Sequence, residues 1–152
     1  SVGTGTIVTP SNLNTDYSPS PTELTNGVDR IVFRITSNDP PGPCNGEFDD
    51  VNVRIYPIPQ LPFAPQPNEY CVNDAILPLT ASGDVVSAII SWYAGDPAIS
   101  PAPPLNTSSP FATGISSTNP ITEDFFVTQT LYKTASFDGC ESPARQLNIV
   151  VN

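Results

Sequence analysis

Proline occupies 19 of the 152 positions, and this constrains the fold more than any other feature of the chain. Proline locks φ, lacks an amide hydrogen and breaks helix interiors. In sheets it is confined to edges, first positions and turns. Between the prolines run short segments rich in Val, Ile, Thr, Phe and Tyr, which suit a pleated, half-buried surface. The pattern predicts an all-β chain of short strands and many turns.

The densest proline run, Pro57 to Pro67, reads Pro-Ile-Pro-Gln-Leu-Pro-Phe-Ala-Pro-Gln-Pro. Such a run favours polyproline II, a semi-rigid spacer. It predicts a linker over residues 58–67 that separates residues 1–57 from residues 68–152, with a proline-laced edge strand of the second unit as the other reading of its last few residues.

In the first segment, Arg30 to Thr36 alternates, with Ile31, Phe33 and Ile35 on one face. Asp50 to Tyr56 alternates again, with Val51, Val53 and Ile55 inward. Two such strands, joined by the turn-rich Asn38 to Gly46, predict an antiparallel pair with one buried and one wet face. Ser18-Pro19-Ser20-Pro21 and Asn26-Gly27 are turn chemistry. About seven strands are needed to close a sandwich, so residues 1–57 read as the back half of a β domain whose front half is missing. Its inward residues are then expected to lie open unless upstream strands or a neighbouring copy cover them. Cys44 is the odd cysteine of three, unpaired or with its partner elsewhere.

The second segment reads as a complete sandwich. Cys71 and Cys140 bracket a set of strands that includes Ala75–Thr80, Ala88–Tyr93 with the single tryptophan Trp92, and Phe125–Leu131. Gln146–Val151 ends it. Trp92 is expected in the core with Ile90, Val127 and Ile149, and a Cys71–Cys140 disulfide is expected to hold the unit.

Several function classes lose their chemistry. His is absent, which removes Ser-His-Asp and Cys-His mechanisms and the commonest transition-metal ligand. No glycine-rich phosphate loop precedes a helix. The acid pairs Asp49-Asp50 and Glu123-Asp124 are adjacent strand residues, so their side chains point to opposite faces. The chain is read as non-catalytic, without a cofactor. A net charge of −10 leaves no basic face for nucleic acid or an anionic membrane surface. No run of apolar residues is long enough to span a bilayer. Calcium is the remaining acidic hypothesis, with Glu47, Asp49, Asp50 and Asp74 as candidate ligands. Asn106-Thr107-Ser108 matches a glycosylation sequon. Tyr93, Tyr132 and Phe137 are candidates for an aromatic platform facing a polysaccharide.

The ordered combination Tyr70-Cys71, Trp92-Tyr93, Phe125-Phe126-Val127-Thr128-Gln129-Thr130 and Gly139-Cys140-Glu141-Ser142-Pro143 resembles the immunoglobulin-like repeats of Bacteroidota surface proteins. Gly3-Thr4-Gly5-Thr6, Asp16-Tyr17-Ser18-Pro19-Ser20 and Asp39-Pro40-Pro41-Gly42-Pro43-Cys44 resemble the second half of a PKD-like repeat. The resemblance implies two tandem immunoglobulin-like β-sandwich units, the first incomplete in this chain. It also implies a long extracellular cell-surface protein exported by type IX secretion, adhesive or concerned with gliding motility. Its partners would be neighbouring domains of the same polypeptide or adjacent copies. The other reading of the residues is a carbohydrate-binding or accessory module of a secreted enzyme.

Overall fold

Turn chemistry and period-two alternation partition this chain into many short strands. The computed structural model describes residues 3–38, 41–43, 45–66 and 68–152. It is nearly all β, in several open sheets. Two units emerge, Ser1–Ile58 and Pro59–Asn152.

The first unit contains β1 (Thr6–Ile7), β2 (Tyr17–Ser18), α1 (Pro21–Asn26), β3 (Val28–Thr36) and β4 (Phe48–Ile55). The strands pair antiparallel, β1 with β2 and β3 with β4. In the β3–β4 ladder Ile31 faces Val53 and Phe33 faces Val51, as the alternation predicts. Ile31 is buried, at 2% exposure, beneath the amino-terminal segment. Ile35 and Val51 are each 57% exposed, so the far half of that face is open. Helix α1 forms where the sequence predicts only a turn. Its signal is Ser20-Pro21-Thr22-Glu23, a capping box with proline in the first turn.

The second unit contains β5 (Asn68–Tyr70), β6 (Ile89–Tyr93), β7 (Ile121–Leu131), β8 (Cys140–Glu141) and β9 (Arg145–Val151). They form one five-stranded sheet in the order β5-β9-β7-β6, with β8 also on β7. The pairing is antiparallel except that β5 runs parallel to β9. One face carries the core: Trp92, Val127, Leu147 and Ile149 are fully buried, with Leu79, Phe111 and Phe125 beside them. Trp92 lies with Ile90, Val127 and Ile149 as expected. It also stacks on Phe111 at 5.5 Å between centroids and donates its indole N–H to the Ser108 carbonyl. The opposing layer is a set of single bridges, Phe63 to Ser82 and Leu79 to Phe111. The strand expected over Ala75–Thr80 is reduced to the Leu79 bridge, because Pro78 has no amide hydrogen to extend the ladder.

Two expectations are corrected here. The proline run is not a free spacer. From Pro59 onward it belongs to the second unit, with Pro59, Pro62 and Ala64 buried and Phe63 exchanging both backbone hydrogen bonds with Ser82. Alternating prolines hold it extended, and the residues between them supply bonds and packing. The Cys71–Cys140 disulfide is also not formed, and both thiols are free. Tyr70 pairs with Val151, which pairs with Ile121, whereas Cys140 pairs with Leu131 at the other end of β7. Ten strand residues separate the two levels, about 33 Å at 3.3 Å per residue. A disulfide needs α-carbons within about 7 Å. Cys44 lies outside the described residues.

Candidate functional site

Thr4, Tyr17 and Ser20 in the first unit, and Gln129, Thr128, Glu141 and Ser142 in the second, are tied into polar clusters within their own unit. In the first unit the centre is Glu23, 4% exposed. One carboxylate oxygen accepts from the Thr4 amide at 2.8 Å and from the Tyr17 hydroxyl at 2.7 Å. The other accepts from the Ser20 amide at 2.8 Å, which closes the capping box. Tyr17 also packs edge-on against Phe33 and accepts from the Gly5 amide. Gly5 lies so close to the Tyr17 ring and the Ser18 carbonyl that any side chain would collide. The Gly-Thr-Gly and Asp-Tyr-Ser motifs are thus two sides of one clamp on a carboxylate. Burial alone would raise the Glu23 pKa. The hydrogen bonds from Ser20, Tyr17 and Thr4 outweigh it and hold the group below the ordinary carboxylate value. Desolvation, then donation to Glu23, pushes the Tyr17 hydroxyl up and keeps it a neutral donor.

In the second unit the centre is Gln129, fully buried on the core face of β7. Its amide nitrogen donates to the Gln60 carbonyl at 2.7 Å and to Asp84 at 2.8 Å. Its oxygen accepts from the Asp84 amide at 2.9 Å. Gly83 approaches this amide too closely to carry a β-carbon. Ser142 accepts from the Gln129 amide with its hydroxyl and donates its own amide to the Gln129 carbonyl. On the other face of the sheet Glu141 accepts from Thr128 at 2.6 Å and from Tyr93 at 2.9 Å. Desolvation, then donation to Glu141, raises the Tyr93 pKa. The Thr-Gln and Glu-Ser motifs are therefore fasteners. They fix the leading segment, the loop at Asp84 and β8 to the sheet.

The expected ligand-facing residues fare unevenly. Tyr93 is 8% exposed with its hydroxyl committed to Glu141, so it is no platform. Tyr132 and Phe137 remain 40% and 39% exposed on the turn between β7 and β8. Among the described residues no three acidic or thiol groups are placed to hold a metal. Asp50 is engaged by Arg34 in a two-pronged pair at 2.8 and 2.9 Å, and this pairing lowers its pKa. The same guanidinium lies over the Phe48 ring at 3.9 Å. Asp49 accepts from the Asp50 amide. Asp74, in the second unit, caps its own turn by accepting from the Cys71 amide. Glu47 sits beside Ser37, which accepts from its amide. Asn106 of the sequon folds back on itself, its side-chain oxygen accepting from the Ser108 amide and hydroxyl.

Sequence reasoning missed Glu23 and Gln129 as centres. Glu23 was detectable from the Ser-x-x-Glu spacing. A buried Gln in an alternating strand has no comparable local signal, since its partners are 45 and 69 residues away. Among the described residues no helix is long and apolar enough to cross a membrane. No protein-family profile matches the chain, and a search of curated proteins finds no match either.

Proposed function

We propose that the chain is a non-catalytic structural and adhesive segment of a long bacterial cell-surface protein, extracellular and of the repeat type its motifs resemble. One observation carries this reading: the resembling residues spend their polar atoms inside the fold. Thr4, Tyr17 and Ser20 converge on Glu23, and Gln129, Glu141 and Ser142 bind the strands of the second unit to one another. A motif used in this way encodes an architecture to be repeated, not a reaction. The PKD-like and immunoglobulin-like assignments, type IX export and a role in gliding belong to the same proposal, as do neighbouring domains or adjacent copies as partners.

An antibody against residues 59–152 should label intact cells of the source organism, and external protease should remove that signal. Labelling only after lysis would overturn the reading. A carbohydrate-binding module is favoured by one feature, the exposed Tyr132 and Phe137 on a shared turn. Glycan-array binding abolished by Tyr132→Ala with Phe137→Ala would establish it. An array with no saccharide bound would remove it.

A further inference from the structure

The leading and final segments of the second unit lie side by side and run in the same direction. Gln60 accepts from Gln129, and the Pro62 carbonyl accepts from Arg145 at the start of β9. The Gln66 side chain donates to the Gln146 carbonyl. Asn68, Glu69 and Tyr70 then pair parallel with Ile149, Val150 and Val151. Beyond them the Asn152 amide donates to Tyr70 at 2.9 Å and the Val72 amide donates to Asn152 at 3.0 Å. Backbone pairing with β9 covers Asn68–Tyr70; upstream of it single side-chain bonds tie Pro62 to Arg145 and Gln66 to Gln146, while Phe63 bridges to Ser82 in the opposing layer.

We propose that this unit is a tension-bearing element whose strong axis runs from residue 59 to residue 152. Gln60 lies at the end of the sheet that holds Gln129 and Ser142. Residue 152 lies at the opposite end, beside Tyr70 and Cys71. Pulling these two points apart drives the parallel segments past each other in shear. The β5–β9 ladder and the bonds joining Tyr70 and Val72 to Asn152 are then loaded together, and Pro62 and Ala64 must leave the core as the segment slides. The same segments pulled apart from one end would separate bond by bond. Forced unfolding is governed by the unfolding rate, and the interactions that break before the barrier is crossed set that rate. Shear of a bonded, packed pair makes all of them break before the barrier. That a surface protein makes use of such strength rests on the function proposed above. The mechanical anisotropy does not.

The test is single-molecule pulling on the full chain, with Cys44, Cys71 and Cys140 replaced by Ser. Handles at Ile58→Cys and Asn152→Cys load the strong axis. Handles at Ile58→Cys and Lys133→Cys place both points at one end of the sheet and peel the leading segment. The first geometry should unfold at clearly higher force. Val72→Pro isolates the far end of the clamp. Residues 71–74 form a turn closed by the Asp74 amide on the Cys71 carbonyl, with Asn73 at φ 72° and Val72 not in the positive-φ region. This is a type II turn, which accepts proline at its second position. Val72→Pro thus preserves the turn and removes only the donation to Asn152. It should raise the unfolding rate at fixed force by about tenfold along 58–152, and leave the 58–133 force unchanged. Arg145→Ala, at the near end, should weaken the 58–152 axis as well. Equal forces in the two geometries would overturn the proposal, and so would a 58–152 force indifferent to both substitutions. Purified protein reports these outcomes whether or not the chain is displayed on a cell, so a failed surface-labelling experiment and a failed pulling experiment are separate results.

Discussion

The hairpin β3–β4 and the pair β7–β9 are built from the same alternating pattern, and they end differently. Phe33 faces Val51 in one, and Phe125 faces Leu147 in the other. Leu147 is fully buried, whereas Val51 is 57% exposed. The difference lies in what surrounds each ladder. β7 and β9 are flanked by β6 and β5 and roofed by Leu79 and Phe111. Among the described residues β3 and β4 pair only with each other, and Tyr17 and the amino-terminal segment bury Ile31 but leave Ile35 and Val51 beside an open cleft. Alternation specifies which face of a strand is apolar, but burial is decided by elements distant in sequence.

The sharpest way to break this comparison is at Trp92. Trp92→Ala should cost the second unit about 3–5 kcal/mol, read as a fall in its urea midpoint, while amide exchange in β3 and β4 stays unchanged. A matched loss in both units would show that they unfold together. The next test places one substitution at equivalent positions. Leu147→Ala should cost about 2–5 kcal/mol, and Val51→Ala about 0.5 kcal/mol or less. Comparable losses would mean that the face around Val51 is covered in solution. Gln129→Leu leaves the Gln60 carbonyl and the Asp84 groups without their partner, at about 1–3 kcal/mol for a buried group left bare. Hydrogen exchange should then rise at Phe63 and Ser82 before it rises in β9.

The smallest effect distinguishes the units by acidity. Glu23 is held below its ordinary pKa, so its contribution is present above the unfolded-state value of about 4.3. It disappears as pH falls through the lower folded value. Acid titration followed by NMR should release β1, β2 and α1 below pH 4.3, about the ordinary carboxylate value. Glu23→Gln should flatten that part of the stability profile. A first unit equally stable on both sides of that range would show that the clamp carries no net charge preference.

Strand positions and inward faces are legible in the sequence because they depend on period-two patterning within one segment: Ile31, Phe33, Val127 and Ile149 all lie where alternation puts them. The proline run reads as a linker because proline reports only on its own backbone. It cannot report that Gln129, 69 residues later in the chain, binds Gln60. The cysteine pair misleads for a related reason. Cys71 and Cys140 bracket the unit in sequence, but a strand of 11 residues, β7, carries their levels apart. The candidate site is legible as motif and illegible as role. Thr128, Glu141 and Ser142 stand out as a pattern, and only the fold reveals what each of them binds.

That separation of Cys71 from Cys140 has a chemical consequence. No covalent bond between them constrains the second unit, so its folding free energy contains no redox term from this pair. Dithiothreitol should therefore leave the urea midpoint of this unit where it was. Nor does its assembly wait on thiol oxidation. Burial of Trp92 and satisfaction of Gln129 complete the fold, and both take place without any change in oxidation state.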